Sequence, residues 1–411
     1  MGLMILLSLI VEVGVLLYLE LKAWDTLFTP LNILMLPYLA VLLISAGLSG
    51  HLGFVEMYYP SVIIWIVALP VFAIPSQYLA YVLHKNGKPY QTVVQNDEIP
   101  RFMIWVSLLV CLSLFYRLRQ TLASCPFQLG TNEFGEAFDH NGFWSHISRL
   151  NTIMLMVMVF YVDKKHRYIW LIILLQLVLL FIHKVKGWIF IPVIAGMIMR
   201  VCSGKNRLSF RFILFMVLGA IGVFFIIYIV SLVLGQNVEF GGKLVGFIFR
   251  HVIHYLTSGV LGLSEDMVHG IPDRGSYEIV IAPFVNIARI VTGNPEQVST
   301  LNPYFFFTGF NLTNVRTLFG TIYINSNPLS FIMTVFGLSV IIHAVKLVSV
   351  KYNNIYTNLV LFYMCSLLFM GWVDTFFNQL AVLEVPAQIS VLWFVDKALN
   401  TGRFVNRAVE S

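Results

Sequence analysis

The stretch Phe212–Gly235, FILFMVLGAIGVFFIIYIVSLVLG, runs for 24 residues without a charge. At 1.5 Å of rise per residue it makes a helix of about 36 Å, longer than the ~30 Å hydrocarbon core of a bilayer. A second charge-free run follows at Pro328–Ala344, in which only His343 is ionisable. Between the two lie the 92 residues Gln236–Asn327, with Lys243, Arg250, Arg274, Arg289, Arg316, His251, His254, His269 and six acids. Lipid leaves no partner for an open backbone, so long apolar runs of this kind are helices. The composition agrees: 58% of the chain is hydrophobic and 11% charged, against about 25% charged in a soluble domain. The reading is an all-α polytopic membrane protein.

Eleven spans are expected, at about 3–21, 30–48, 61–83, 101–116, 150–162, 168–182, 188–200, 212–235, 328–345, 354–372 and 379–396. One side of the membrane then receives sixteen of the 26 Lys and Arg residues, spread over every short connection, and the other side ten. The richer side is cytoplasmic by the positive-inside rule. The N-terminus is then outside and the C-terminus cytoplasmic. No Lys or Arg precedes the apolar part of Met1–Leu21, so that stretch reads as a retained first span rather than a signal peptide. Three sections follow: 1–235 with about eight spans, 236–327 as one large extracytoplasmic loop, and 328–411 with about three spans and a cytoplasmic tail.

A net charge of +6 would suggest nucleic acid in a soluble protein. Here it reflects cytoplasmic loops facing anionic membrane lipids, and no nucleic-acid partner is expected. Cys111 and Cys365 sit inside apolar runs, Cys202 ends one and Cys125 stands alone in a loop. Neither a disulfide framework nor a zinc spacing results. The chain has no D-x-D, Walker A, H-E-x-x-H or G-x-S-x-G motif. That speaks against an ATPase, a zincin, a serine hydrolase and a metal-dependent nucleotide-sugar enzyme, and no metal or other cofactor is expected.

The ten outward basic residues have no topological purpose, so they need another one. Pairing with the loop's own acids is one. Binding of an anionic substrate is the other. Lys243–Glu265 reads as an amphipathic helix on which Lys243, Arg250, His254 and Thr257 share a face. That face lies either in interfacial water or in a cavity, where Arg250 would bind phosphate oxygens and His254 titrate near neutral pH. The segment Ile279–Val291, with Arg289 near its end, reads as a second interfacial helix. Lys184 and Lys186 stand in a turn between two runs too short to cross a bilayer, so they either snorkel to the headgroups or line a polar cavity below the outer surface. The aromatic run Tyr304–Phe307 fits an interface anchor or flat faces for sugar rings. Arg117–Arg149 reads as a lid or surface loop.

At Thr313-Asn314-Val315-Arg316-Thr317, with Tyr323-Ile324-Asn325 and the following span, the chain resembles Wzy-type oligosaccharide repeat-unit polymerases, as it does at Lys184–Gly187 and at Tyr255 and Gly259. It departs from them with Arg at 316, often aromatic in that family, and Asn at 325, usually an acid there. The resemblance implies a GT-C-like fold in a bacterial inner membrane. It also implies a metal-independent glycosyltransferase without cofactor, acting on undecaprenyl-pyrophosphate-linked oligosaccharide and partnered by a chain-length regulator protein. The growing chain would be the donor and the next lipid-linked unit the acceptor. On this reading Arg250, His254 and Arg316 are catalytic, the two arginines flanking the donor pyrophosphate and His254 serving as base, with His251 and Glu265 as substitutes. Lys184, Lys186, His251, Tyr255, Arg289, Tyr304, Asn311 and Asn314 would bind substrate. An O-antigen ligase, or a transporter or flippase for lipid-linked sugars, is the alternative.

Overall fold

The computed structural model describes residues 2–85, 98–127, 131–139, 142–163, 165–182, 187–229, 241–270, 275–294 and 296–409. These are almost entirely helical: α1 (Gly2–Trp24), α2 (Pro30–Leu48), α3 (Ile63–Lys85), α4 (Arg101–Ser124), α5 (Asn132–Asp139), α6 (Phe143–Tyr161), α7 (Tyr168–Phe181), α8 (Gly187–Cys202), α9 (Phe210–Ile229), α10 (Gly242–Val268), α11 (Ala282–Val291), α12 (Leu318–Ile324), α13 (Pro328–Tyr352), α14 (Ile355–Phe369) and α15 (Ala381–Val409). Two short strands, β1 (Phe306–Phe307) and β2 (Leu312–Thr313), pair antiparallel.

Among the described residues, eight helices are long and apolar enough to cross a membrane by length and composition: α1, α2, α3, α4, α6, α10, α13 and α14. Seven of them coincide with expected spans. α7, α8 and α9 are apolar helices counted over fewer residues, and the last expected run begins α15. The eighth, α10, falls inside the stretch read from sequence as a loop. Its 27 residues extend the expected amphipathic helix at both ends.

Packing divides the chain into two compact units, one of Met1–Gln91, Gly241–Lys351 and Met364–Val382, the other of Thr92–Phe240, Tyr352–Tyr363 and Leu383–Ser411. The second unit is built around α6, whose residues Asn151–Val162 are buried without a break. A helix buried on every side belongs at the centre of its bundle. α5 is amphipathic instead, placing Phe134 and Phe138 (i, i+4) against Leu114 of α4 and Leu179 of α7. Arg117 holds it there by donating to the carbonyls of Ala137 (2.6 Å) and Phe138 (3.2 Å) at its C-terminal end, where carbonyls lack helical partners.

The first unit packs α1 against α3 and α10 against α2. Its core stacks Tyr38 on Trp65 at 3.4 Å between centroids, with Phe319 beside Trp65 at 4.6 Å. Deeper in the bundle, Glu20 of α1 is fully buried and accepts from Ser76 Oγ and Gln77 Nε2 of α3, both at 2.7 Å. Trp24 Nε1 donates to the same Ser76 hydroxyl (3.0 Å), and the Lys346 ammonium of α13 lies 3.1 Å from the Trp24 ring centroid. A carboxylate away from water is costly unless hydrogen-bonded, and this network joins α1 to α3 and brings α13 alongside.

Candidate functional site

The expected polar face of α10 is divided: Lys243 and Arg250 are exposed, while its C-terminal part is turned into the first unit. His251, His254, Thr257, Ser258 and Ser264 are buried, while Phe247, Phe249 and Tyr255 are exposed. Two glycines let other backbone segments reach the helix. A Cβ at Gly259 would collide with the carbonyls of Trp372 and Val373, and one at Gly262 with that of Val315. The loop before α3 lies along the same helix, from Gly53 beside Arg250 to Tyr58, whose N–H donates to Ser264 Oγ.

The hairpin β1–β2 closes over the middle of α10. Its turn, Thr308–Asn311, requires Gly309 at φ +88°, a conformation costly for residues with a Cβ. Thr308 Oγ donates to Asn311 O (3.0 Å) and accepts from Asn311 N–H (3.3 Å). His254 Nδ1 stands 3.0 Å from the same hydroxyl. With the hydroxyl proton on Asn311 O, Nδ1–H donates to Thr308 Oγ and Nε2 holds the lone pair of the neutral ring. Asn311 Oδ1 accepts from Leu312 N–H (2.8 Å), which fixes the amide so that Nδ2 donates to His251 Nε2 (3.2 Å). The neutral His251 ring thus also carries its hydrogen on Nδ1.

Phe310, at the turn, stands 4.8 Å from the His251 ring and 6.1 Å from that of His254. The Arg250 guanidinium lies over the Phe310 ring, 4.6 Å from its centroid. Arg250 is exposed, and none of its N–H groups meets a hydrogen-bond acceptor among the described residues. A ring-backed guanidinium with free donors suits an oxyanion of phosphate type.

Arg316 has a different place. It is 1% exposed, and Nε and Nη2 grip both oxygens of Asp266. Nη2 also donates to Tyr304 O (3.1 Å) and Nη1 to Val315 O (3.2 Å). Nη1 lies beside Gly262, twelve residues and about 18 Å along α10 from Arg250. The expectation that both arginines flank one pyrophosphate is corrected on that distance and on the ion pair. Thr317 follows at φ +66°, ψ 163°, strained backbone for a β-branched residue. It is held by N–H to Val373 O (3.1 Å) and by Oγ, which accepts from Trp65 Nε1 and Gly320 N, both 3.2 Å. The Thr313–Thr317 stretch is thus an anchor of the unit.

The remaining candidates separate. His251, His254 and Asn311 meet in one network, with Tyr255 exposed beside it, its ring 5.7 Å from that of His254. Arg289 pairs with the Glu278 carboxylate (2.8 Å) and donates to the backbone carbonyl of Glu296, so its guanidinium is held within its own segment. Glu265 faces His269 at 3.2 Å. Asn314 donates to Asn302 O (3.2 Å), and exposed Tyr304 serves Arg316 through its carbonyl. Lys184 and Lys186 lie outside the described residues. Sequence reading missed Thr308, which has no charge to draw attention. It also missed Asp374, although that is the only charged residue between Lys351 and Glu384.

The sequence matches a family of unknown function, DUF6337, over residues 53–401. The chain belongs to DUF6337. The match takes in α3 to α14 and most of α15, together with Gly53, the turn Thr308–Asn311 and the α10 histidines, so the whole candidate site falls within the DUF6337 region. No curated protein and no solved structure matches the chain. Among the described residues no group of three or more His, Cys, Asp or Glu is placed to hold a metal ion.

Proposed function

We propose that this DUF6337 protein is a glycosyltransferase of the outer face of a bacterial inner membrane, which polymerises polyprenyl-pyrophosphate-linked oligosaccharide repeat units into O-antigen or capsular polysaccharide. The observation that carries the reading is the exposed Arg250, lying over Phe310 and with no hydrogen-bond acceptor among the described residues, beside two histidines held by Thr308 and Asn311. In the transfer, the anomeric C–O bond of the growing chain breaks and the electron pair leaves on the pyrophosphate. A hydroxyl of the next lipid-linked unit forms the new C–O bond and gives up its proton. Arg250 would stabilise the charge gathering on the pyrophosphate. His254 Nε2 would take the proton, with Thr308 holding the ring. His251, Asn311 and Tyr255 would contact substrate.

Placement at the outer face rests on the Lys and Arg pattern. The loops that touch α10, at 53–58, 308–315 and 372–373, all fall on the side that pattern makes extracytoplasmic. The test is purified protein with lipid-linked repeat units in excess chelator. A ladder of products, strongly weakened in Arg250→Lys although charge is kept, supports the reading. A single unextended product, or activity that returns only with added magnesium or manganese, overturns it. An O-antigen ligase would use the same donor chemistry. A carrier for lipid-linked sugars is favoured by one observation, the buried Glu20 and Lys346 within apolar spans, since charge at that depth is a mark of transport pathways.

A further inference from the structure

Outside the Arg250 centre, amide and carboxylate side chains of the first unit join three chain segments, 300–302, 314–316 and 374–378, into a closed circuit. Three contacts close it. Asn378 Nδ2 donates to Thr300 O (3.3 Å), Asn314 Nδ2 donates to Asn302 O (3.2 Å), and the backbone N–H of Arg316 donates to the Asp374 carboxylate. Asp374 also accepts from Thr321 Oγ (2.5 Å) and Thr375 N–H (2.8 Å) and is part-exposed. Tyr304 and Phe305, which follow Asn302, are 46% and 61% exposed.

The circuit is not self-satisfied. Asn378 is 2% exposed, yet its Oδ1 has no hydrogen-bond partner among the described residues, and neither has the buried Nδ2 of Asn302. Buried polar atoms without partners are few in folded proteins and each calls for an explanation. Here one vacant acceptor and one vacant donor lie in a circuit that also holds a carboxylate, and the exposed rings of Tyr304 and Phe305 follow directly in the chain. Sugar hydroxyls both donate and accept, and the apolar faces of sugar rings pack on aromatics. The cation nearby, Arg316, is already held by Asp266, so the circuit does not select an anion.

We propose that Asn302, Asn314, Asp374 and Asn378, with Tyr304, form a carbohydrate subsite for the oligosaccharide part of the substrate, separate from the cationic centre at Arg250. The Trp372–Val373 backbone meets α10 at Gly259 and Val315 meets it at Gly262, so the two sites stand about 14–18 Å apart along the helix. The carbohydrate subsite rests on the glycosyl-transfer reading for its place in the reaction, and the carrier lipid has no part in it.

The test is binding of detergent-solubilised protein to an array of lipid-free bacterial surface oligosaccharides. Wild type should retain a subset of them, Asp374→Asn and Asn378→Ala should lose at least tenfold, and a variant of the exposed Arg207, Arg207→Ala, should bind as wild type. Thermal unfolding of each variant separates lost binding from lost fold. If no oligosaccharide is retained, or if Asp374→Asn and Asn378→Ala bind as wild type, the subsite is refuted. Extension of lipid-linked units in the transfer assay tests the other reading, so the two fail separately.

Discussion

Arg316 and Asp266, fifty residues apart in sequence, make a two-pronged ion pair in which the arginine is 1% exposed. The pair ties the segment before α12 to the C-terminal end of α10. Removing one partner of a buried pair leaves an uncompensated charge, at a cost of about 3–5 kcal/mol. Arg316→Ala and Asp266→Ala should therefore lower the unfolding temperature and the yield of protein in the membrane. Unchanged unfolding together with lost transfer would return Arg316 to the chemistry.

Arg250 should behave in the opposite way. It is exposed and held by no hydrogen bond among the described residues, so Arg250→Ala should change stability by no more than about 0.5 kcal/mol. Transfer should fall by orders of magnitude, because a group aimed at a leaving pyrophosphate acts in the transition state. Thermal unfolding and product ladders on the same preparation give both answers. Normal ladders from Arg250→Ala contradict the assignment.

Much of this was legible and some was not, for reasons that differ by residue. The spans are local, since a charge-free run of bilayer length decides its own structure, and α1, α2, α3, α4, α6, α13 and α14 lie where expected. Helical spacing put Arg250 and His254 on one face of α10, but only packing decides what covers a face. The structure buries His254 and leaves Arg250 exposed. Arg316 was misread because its partner lies fifty residues away and no spacing rule connects them. Thr308 matters only because a four-residue turn brings its hydroxyl to His254.

Thr308 is a positioning residue on this account. Thr308→Val leaves His254 Nδ1–H and Asn311 N–H without their acceptor, worth about 1–3 kcal/mol. Turnover should fall with little change in KM, and Thr308→Ser should restore it. Equal turnover in the valine and serine variants would show that the ring orientation is immaterial.

Asp374 supplies a pH dependence. Loss of hydration raises its carboxyl from 3.8 to about 6, against the Thr321 hydroxyl, the Thr375 and Arg316 N–H groups and the Arg316 charge. The charged groups facing it are Arg316 and, through it, Asp266. Because the folded state holds this proton more tightly, the stability linked to it is full below about pH 4 and is lost as pH rises through about 6. The loss is about 3 kcal/mol at 1.4 kcal/mol per tenfold change. Asp374→Asn should therefore unfold at a higher temperature than wild type at pH 8 and at the same temperature at pH 4. Oligosaccharide binding by wild type should rise across pH 6 as the carboxylate forms. A flat binding profile from pH 5 to 8 opposes that role.

The central claim is extension of lipid-linked repeat units, and its most direct measurement is the surface polysaccharide of a strain lacking this protein. A single repeat unit on each anchor, restored to a ladder by the wild-type gene and not by the Arg250→Ala variant, is the predicted result. A full-length ladder in the deletion strain, or complete polymer that accumulates without its final acceptor, contradicts it.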